Sequence, residues 1–343
     1  MKSLVKTKLG FGNLEVQSKP EPFPKKDQVK IKVKYAGICG SDIHTYEGDY
    51  KVGVPVTLGH EFSGEIVEVG EGVKEFQVGD RVTSETTYYI CGKCEYCQTR
   101  DYNLCNHRKG LGTQQDGAFA KYVIARKESV HHLPENVDFL SAAMTEPLAC
   151  TYHAIEKVKI HEGDLVVVTG PGPIGLLAAQ VAKSQKATVI ITGISNDKLR
   201  LDKAKELGID YAINTQEEDV KELVKKLTKG YGVDVVLECS GAVLAAKQGL
   251  DLLRKKGKYV QVGLFAQQDV QFDLEKIIQK EIHVVGSRSQ KPDDWEPALT
   301  LMSEGKVNAK SLITHVFNIT QWEEAYNVIK SGEAIKVLLT PVE

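Results

Sequence analysis

Leu165-Val166-Val167-Val168-Thr169-Gly170-Pro171-Gly172-Pro173-Ile174-Gly175 is the stretch on which the fold turns. A short apolar run, Leu165–Thr169, leads directly into G-x-G-x-x-G. Such a run suits a strand buried on both faces. Ile174, Leu177, Ala178, Val181 and Ala182 then recur at i, i+3, i+4, i+7 and i+8, one face of a helix. Strand, glycine turn and helix is the context that gives this motif meaning. Gly170 permits the tight turn, Gly172 lets the backbone approach a pyrophosphate, and Gly175 lets helix and strand pack closely. The helix opens at Pro173 and Ile174, and its free N–H groups and positive dipole end face the phosphates.

The same alternation runs on from near Tyr152. Strand-like runs occur at Leu165–Thr169, Thr188–Thr192, Asp210–Ile213, Val233–Glu238, Lys258–Val262 and Ile282–Val285, mostly with helical patterns between them. The connection Leu264–Glu281 is less clearly helical. This order predicts an α/β fold with a parallel, doubly wound sheet. Val262 and Gly263, closing the fifth run, are further candidates for cofactor contact. An NAD site usually carries Asp or Glu at the end of the second strand, where it holds the ribose diol. Here that strand ends in Gly193-Ile194-Ser195-Asn196. Losing the carboxylate removes repulsion of a 2′-phosphate, and Ser195, Asn196 and Arg200 offer donors to one. The expectation is NADP(H), preferred or used alongside NAD(H); Asp197 is the ribose partner on the competing NAD reading.

The first half is β-rich. Val29, Ile31, Val33 and Tyr35 alternate with Lys30, Lys32 and Lys34, the period of a half-buried strand. Phe62–Val69 and Ala118–Ala125 give weaker strand signals. The tail, 287–343, reads as two helices and a strand at Ile335–Leu339, with Thr320 and Glu323 as a capping box opening the second helix. That last strand is expected to return to the first domain. The length, 343 residues, suits two domains. With 44 Lys+Arg against 46 Asp+Glu, the net charge of −2 argues against a nucleic-acid partner. No apolar run reaches the roughly 18–20 residues of a membrane span, and Met1–Gly12 lacks a signal-peptide core. A cytoplasmic location follows as the expectation.

Four of the seven cysteines, Cys91, Cys94, Cys97 and Cys105, form C-x2-C-x2-C-x7-C. Four thiolates at short spacing close around one ion and leave no open position, which describes a structural zinc; an iron–sulfur cluster and disulfides are the weaker alternatives. A second set is dispersed over Cys39-Gly40-Ser41-Asp42, Gly59-His60-Glu61 and Thr145-Glu146-Pro147-Leu148. One thiolate, one imidazole and carboxylates make the mixed donor set of a catalytic zinc with an exchangeable position. Cys150 and Cys239 are read as buried neighbours.

Taken in order, these motifs span the whole chain. Together they resemble the zinc-dependent medium-chain alcohol dehydrogenases, and most of all the polyol (sorbitol, L-iditol) dehydrogenase-like branch, with threonine dehydrogenases nearby. The resemblance implies a GroES-like β-rich catalytic domain at 1–150 and 287–343, with the structural-zinc lobe at 88–108, and a Rossmann domain at 151–286. It implies two zinc ions, the catalytic one held by Cys39, His60 and either Glu61 or Glu146. Asp42 is the candidate partner that orients His60. Ser41 and His44 stand where the family places a proton relay. The implied reaction moves a hydride between a secondary alcohol of a polyol, or a polyol phosphate, and NAD(P), giving the ketose. Arg288 lies near where polyol enzymes carry a basic residue; with Lys291 it also suits a polyol phosphate, and it equally suits the cofactor. A homotetramer or homodimer is implied. The rivals are a threonine-type amino-alcohol dehydrogenase and, from another class, a zinc-free NADPH-binding relative or structural protein on the same fold.

Overall fold

Val29, Ile31 and Val33 bury their side chains along the strand Gln28–Gly37, at the centre of a mixed sheet. The structure, a computed structural model, describes residues 1–266 and 269–342. Contacts divide the chain into two units, one of Met1–Ala149, Gln290–Ser303 and Ala309–Glu343, the other of Cys150–Ser289 and Glu304–Asn308.

In the first unit Val130–His132, Arg81–Ser84, Glu61–Val69, Gln28–Gly37, Lys336–Thr340 and Ile313–Asn318 lie side by side in that order, and Tyr122–Arg126 also pairs with Gln28–Gly37. A three-stranded sheet of Leu14–Ser18, Lys2–Lys6 and Val56–Thr57 completes the unit's larger β structure. The core gathers Ile31, Leu58, Phe62, Ile66, Phe119, Trp322 and Leu339. The last strand runs antiparallel to Gln28–Gly37, with Leu338 opposite Gly37 and Leu339 opposite Ala36. Burying each such aliphatic side chain contributes about 1.5–3 kcal/mol, so the tail is integral to this core.

Several expectations are corrected here. Only Tyr122–Arg126 of the run 118–125 is strand. Ile313–Asn318 is a strand that the pattern hid, because Val316 faces solvent while His315 is half-buried. Thr320 does not cap the tail's second helix. Asn318 Oδ1 accepts the Thr320 N–H at 3.0 Å, and Gln321 Oε1 accepts the Asn318 N–H at 3.1 Å. That reciprocal pair starts a 3₁₀ turn, Ile319–Gln321, which leads into the helix Trp322–Lys330. Asn caps at least as well as Thr, and it stands two residues earlier.

In the second unit Tyr211–Asn214, Thr188–Gly193, Leu165–Thr169, Val233–Glu238, Leu253–Gln261 and His283–Gly286 form one six-stranded sheet. All pairs are parallel. Leu165–Thr169 is flanked by the second and fourth strands, so the winding reverses there and opens a crevice at its carboxyl end. Val167, Ile190, Val236, Leu250 and Tyr259 pack the core. Among the described residues of 264–281 there is one helix, Leu274–Lys280, whose first turn is capped by Asp273. No helix among the described residues is long and apolar enough to cross a membrane.

Several polar contacts hold the tail to the rest of the first unit, and two of them centre on buried or half-buried groups. Lys336 is buried in the last strand, where it donates to the Ile38 carbonyl at 2.9 Å and pairs with the Glu61 carboxylate. Their side chains are 3% and 2% exposed. Gly37 makes room for the pair, since a Cβ there would overlap the carboxylate. The second contact is His131, whose Nδ1 lies 3.0 Å from Glu296 and whose Nε2 lies 3.3 Å from Glu85. Its ring stacks on Trp295. Burial works against the charged ring, but hydrogen bonds to Glu296 and Glu85 and the charges of both carboxylates outweigh it and raise the pKa.

Replacing Lys336 strands a buried charge, so Lys336→Met is expected to lower the unfolding free energy by about 3–5 kcal/mol, and Lys336→Arg by less. Urea denaturation reads this directly; near-wild-type stability of Lys336→Met would count against the pair. For His131, the folded ring holds its proton more tightly than the unfolded one. Its stabilisation is complete below the ordinary value of 6.5 and is lost as pH rises through the raised value. The Tm advantage of wild type over Glu296→Gln is therefore expected to be wide near about pH 6 and to close by about pH 9. A gap constant across that range would contradict it.

Candidate metal centres and cofactor site

Cys39 follows the strand Gln28–Gly37 and is the N-cap of the helix Gly40–Glu47. His60 immediately precedes the strand Glu61–Val69. These strands are antiparallel with Gly37 opposite Glu61, which brings the two ends together. One ligand atom each from Cys39, His60 and Glu61 lies within 4.8 Å of the others. Glu146, in the first turn of the helix Thr145–Glu156, is buried but stands outside that group. Asp42 Oδ2 accepts the Cys39 N–H at 2.9 Å, and its Oδ1 lies 3.9 Å from His60 Nδ1. His60 Nδ1 is itself buried without a hydrogen bond.

The electrostatics of this pocket favour positive charge. Burial opposes a charged His60, yet the Asp42 charge, the Cys39 contact and Glu146 raise its pKa well above the ordinary value. Burial raises the Asp42 pKa against the pull of His60 and the Cys39 N–H. A thiol, an imidazole and a carboxylate converge, with a further carboxylate close enough to act on both His60 and Lys336. That donor set fits a zinc ion with an open position. Lys336 is the member that the sequence reading missed; the only signal was a lysine in the apolar run Ile335–Leu339.

Ser41 is half-buried in the helix Gly40–Glu47, and the His44 side chain is 44% exposed with Nδ1 3.9 Å from Glu47. His44, Glu47 and Asp49 also come within 4.8 Å of one another. Glu47 is engaged there by Lys330 at 2.7 Å and Tyr326 at 3.0 Å, so the group is a surface ion-pair cluster.

The four-cysteine lobe is compact. Sγ separations are 3.9 Å for Cys91–Cys97, 3.5 Å for Cys94–Cys97 and 3.7 Å for Cys105–Cys91. With Zn–S bonds of about 2.3 Å, the edge of a tetrahedron is about 3.8 Å; a disulfide would need about 2.0 Å. Backbone N–H groups of Lys93 and Cys94 pull the Cys91 thiol down to about 6, while burial pushes Cys97 up to about 12. The lobe thus offers a ready thiolate beside thiols that give up their protons on metal binding. Cys150 and Cys239, expected to be buried, are half-buried.

In the second unit Gly170 adopts φ +87° against Ser240, and a Cβ on Gly175 would overlap the Gly170 carbonyl. Gly172 is the N-cap of the helix Pro173–Ser184, no side chain caps it, and nothing lies within 4 Å of the place its Cβ would take. The result is a cradle of free N–H groups that fits a pyrophosphate. Gly193 ends Thr188–Gly193 at the same edge of the sheet. After it, the Ser195 N–H donates to Gln216 and the Ser195 hydroxyl accepts from Asn214, both at 3.0 Å; Asn196 is exposed. Arg200 pairs with Asp197 at 2.9 Å. The N–H groups of Val262 and Gly263 donate to the Glu238 carbonyl at 2.9 Å. The buried Glu238 carboxylate, unnoticed in the sequence, accepts from Gln261 at 2.6 Å, the Ser240 N–H at 2.9 Å and Thr169 at 3.2 Å, tying three strand ends together. Arg288 is exposed just beyond His283–Gly286.

Two family models match, and the second runs past the second unit into Gln290–Ser303 of the first. Residues 25–135 match the alcohol dehydrogenase GroES-like domain, and residues 173–304 match the zinc-binding dehydrogenase domain. A sorbitol dehydrogenase of Halalkalibacterium halodurans is 76% identical over 343 residues, covering 100% of both chains. A D-arabitol-phosphate dehydrogenase of Enterococcus avium is 50% identical, over 99% of this chain and 97% of its own. Among solved structures, a zinc-binding dehydrogenase of Sinorhizobium meliloti bound to NADP superposes with a TM-score of 0.91 at 30% identity, over 99% of each chain. The chain belongs to the zinc-dependent alcohol dehydrogenase family, in its polyol dehydrogenase branch.

Proposed function

We propose that this protein oxidises a secondary hydroxyl of a polyol, or of a polyol phosphate, to the ketose with reduction of NAD(P)⁺, and runs the reverse reaction. The observation that carries this reading is the convergence of Cys39, His60 and Glu61 in a chain that also holds a dinucleotide cradle. The sorbitol dehydrogenase and D-arabitol-phosphate dehydrogenase relatives supply the substrate class.

In this reading residues 1–150 and 287–343 form the catalytic domain, and 151–286 form the dinucleotide domain. Cys39, His60 and Glu61 hold the catalytic zinc, with Glu146 as the alternative carboxylate. The free oxygen of Glu61 serves, since the other is engaged by Lys336. Cys91, Cys94, Cys97 and Cys105 hold the structural zinc. When bound, zinc supplies a Lewis acid that makes the substrate hydroxyl acidic, and the nicotinamide accepts the hydride. The chain's own residues do the rest. Asp42 orients His60 and steadies the Cys39 backbone. Ser41 takes up the hydroxyl proton and His44, open to solvent, releases it. Gly170, Gly172, Pro173, Ile174 and Gly175 bind the pyrophosphate, and Gly193, Ser195, Asn196 and Arg200 face the adenosine ribose. Val262, Gly263 and Arg288 complete the cofactor contacts. NADP(H) and NAD(H) are both accepted. The protein works in the cytoplasm as a homodimer or homotetramer, a reading supported by His283–Gly286, which lies at the edge of its sheet with Val284 39% exposed.

The test is a panel of polyols, polyol phosphates, L-threonine and simple secondary alcohols, each with NAD⁺ and NADP⁺. A polyol or its phosphate is expected to exceed L-threonine in kcat/KM by at least about tenfold, roughly 1.4 kcal/mol of transition-state preference. Preference for L-threonine would replace this reading with the amino-alcohol one. His44→Ala is expected to slow turnover mainly at low pH, and an unchanged pH–rate profile would remove it from the relay.

A further inference from the structure

Gly193 ends its strand without the carboxylate that usually holds an adenosine ribose, but the space is not empty. A Cβ built on Gly193 would lie 3.1 Å from both Cβ and Oδ2 of Asp197, and 2.9 Å from Pro171 Cγ. The turn Ser195–Asp197 folds back over the strand end, so a residue four positions on brings its carboxylate against the bare glycine. Two bonds fix it there. Asp197 Oδ2 accepts the Ile194 N–H at 3.1 Å, and Oδ1 accepts from Arg200 at 2.9 Å.

We infer that Asp197 is the residue with which this chain discriminates between the two nicotinamide dinucleotides, its carboxylate standing in for the missing strand-end acid and taking the ribose diol of NAD(H). The inference rests on the dinucleotide reading of the Gly170–Gly175 loop given above. A carboxylate has about four acceptor positions, and Ile194 and Arg200 use two, leaving one on each oxygen for a 2′- and a 3′-hydroxyl. The same negative charge opposes a 2′-phosphate. Arg200, the cation best suited to that phosphate, gives its Nη1 to Asp197. The pair therefore sets the balance. Closed, it presents a carboxylate to a diol; without Asp197, the negative charge that opposes a 2′-phosphate is gone.

Binding of the adenosine halves to the whole protein, followed by calorimetry, tests this apart from turnover. The probes are 5′-AMP, its 2′-deoxy analogue and adenosine 2′,5′-bisphosphate. Asp197→Ala and Asp197→Asn are expected to weaken 5′-AMP and to strengthen the bisphosphate, moving their ratio by at least about tenfold. The 2′-deoxy analogue keeps only the 3′-hydroxyl contact, so it binds wild type more weakly than 5′-AMP and loses less on substitution. Gly193→Asp/Asp197→Gly moves the acid to the strand end and removes both Asp197 atoms that a Cβ there would meet at 3.1 Å, leaving the Pro171 ring to shift, and is expected to restore the 5′-AMP preference. A merely structural Asp197 would weaken all three ligands alike. An unchanged ratio in both single variants would overturn the inference while leaving the cofactor reading intact. Failure of wild type to bind any of the three would overturn that reading and the inference with it.

Discussion

The carboxylate of Glu61 and the ammonium of Lys336 meet deep in the first unit, 275 positions apart in sequence. Both side chains are almost fully buried, so each depends on the other. Glu61 begins the strand that follows His60, and Lys336 begins the strand that brings the tail back beside Gln28–Gly37. The pair thus fixes the last strand, the wall of the mixed-donor pocket and the orientation of one of its ligands together. It also sets the charge of the pocket. Cys39, Asp42, Glu61 and Glu146 can each carry negative charge, while His60 and Lys336 can carry positive charge. With His60 neutral, as a metal ligand must be, the acidic groups outnumber Lys336, and the excess has the sign that a divalent cation offsets.

The four-cysteine lobe solves a different problem. Its sulfurs sit at tetrahedral spacing, and an ion held by all four would have no position left for a substrate. The mixed pocket is assembled from residues on separate elements and offers three donors, which would leave a tetrahedral ion one position open. One unit therefore carries two donor clusters of opposite design, four clustered thiols and a mixed thiol–imidazole–carboxylate set, while the second unit ends its first strand in a glycine turn that fits a pyrophosphate.

What was legible in the sequence was what local spacing encodes. The cysteine lobe closes over fifteen residues, and the glycine loop is read from a strand and a helix that touch it. Cys39, His60 and Glu61 were legible as donor types, and antiparallel pairing then brought them together. Lys336 was not, because only the register of the last strand tells which residue it meets. The strand Ile313–Asn318 was hidden by an exposed valine, and the cap went to Asn318 because two competent caps lie two residues apart. At Gly193 the sequence showed a missing acid but not the turn that returns Asp197 to the same place.

The claim at the centre of this account is that one folded unit holds two zinc ions with separate tasks. Zinc per chain, measured by atomic emission on wild type, Cys39→Ser and Cys105→Ser, tests it most directly when polyol oxidation is assayed on the same samples. The account predicts two ions in wild type and one in each variant, with oxidation abolished in Cys39→Ser and thermal stability reduced in Cys105→Ser. A single zinc in wild type, or an unchanged zinc content in Cys39→Ser, would contradict it.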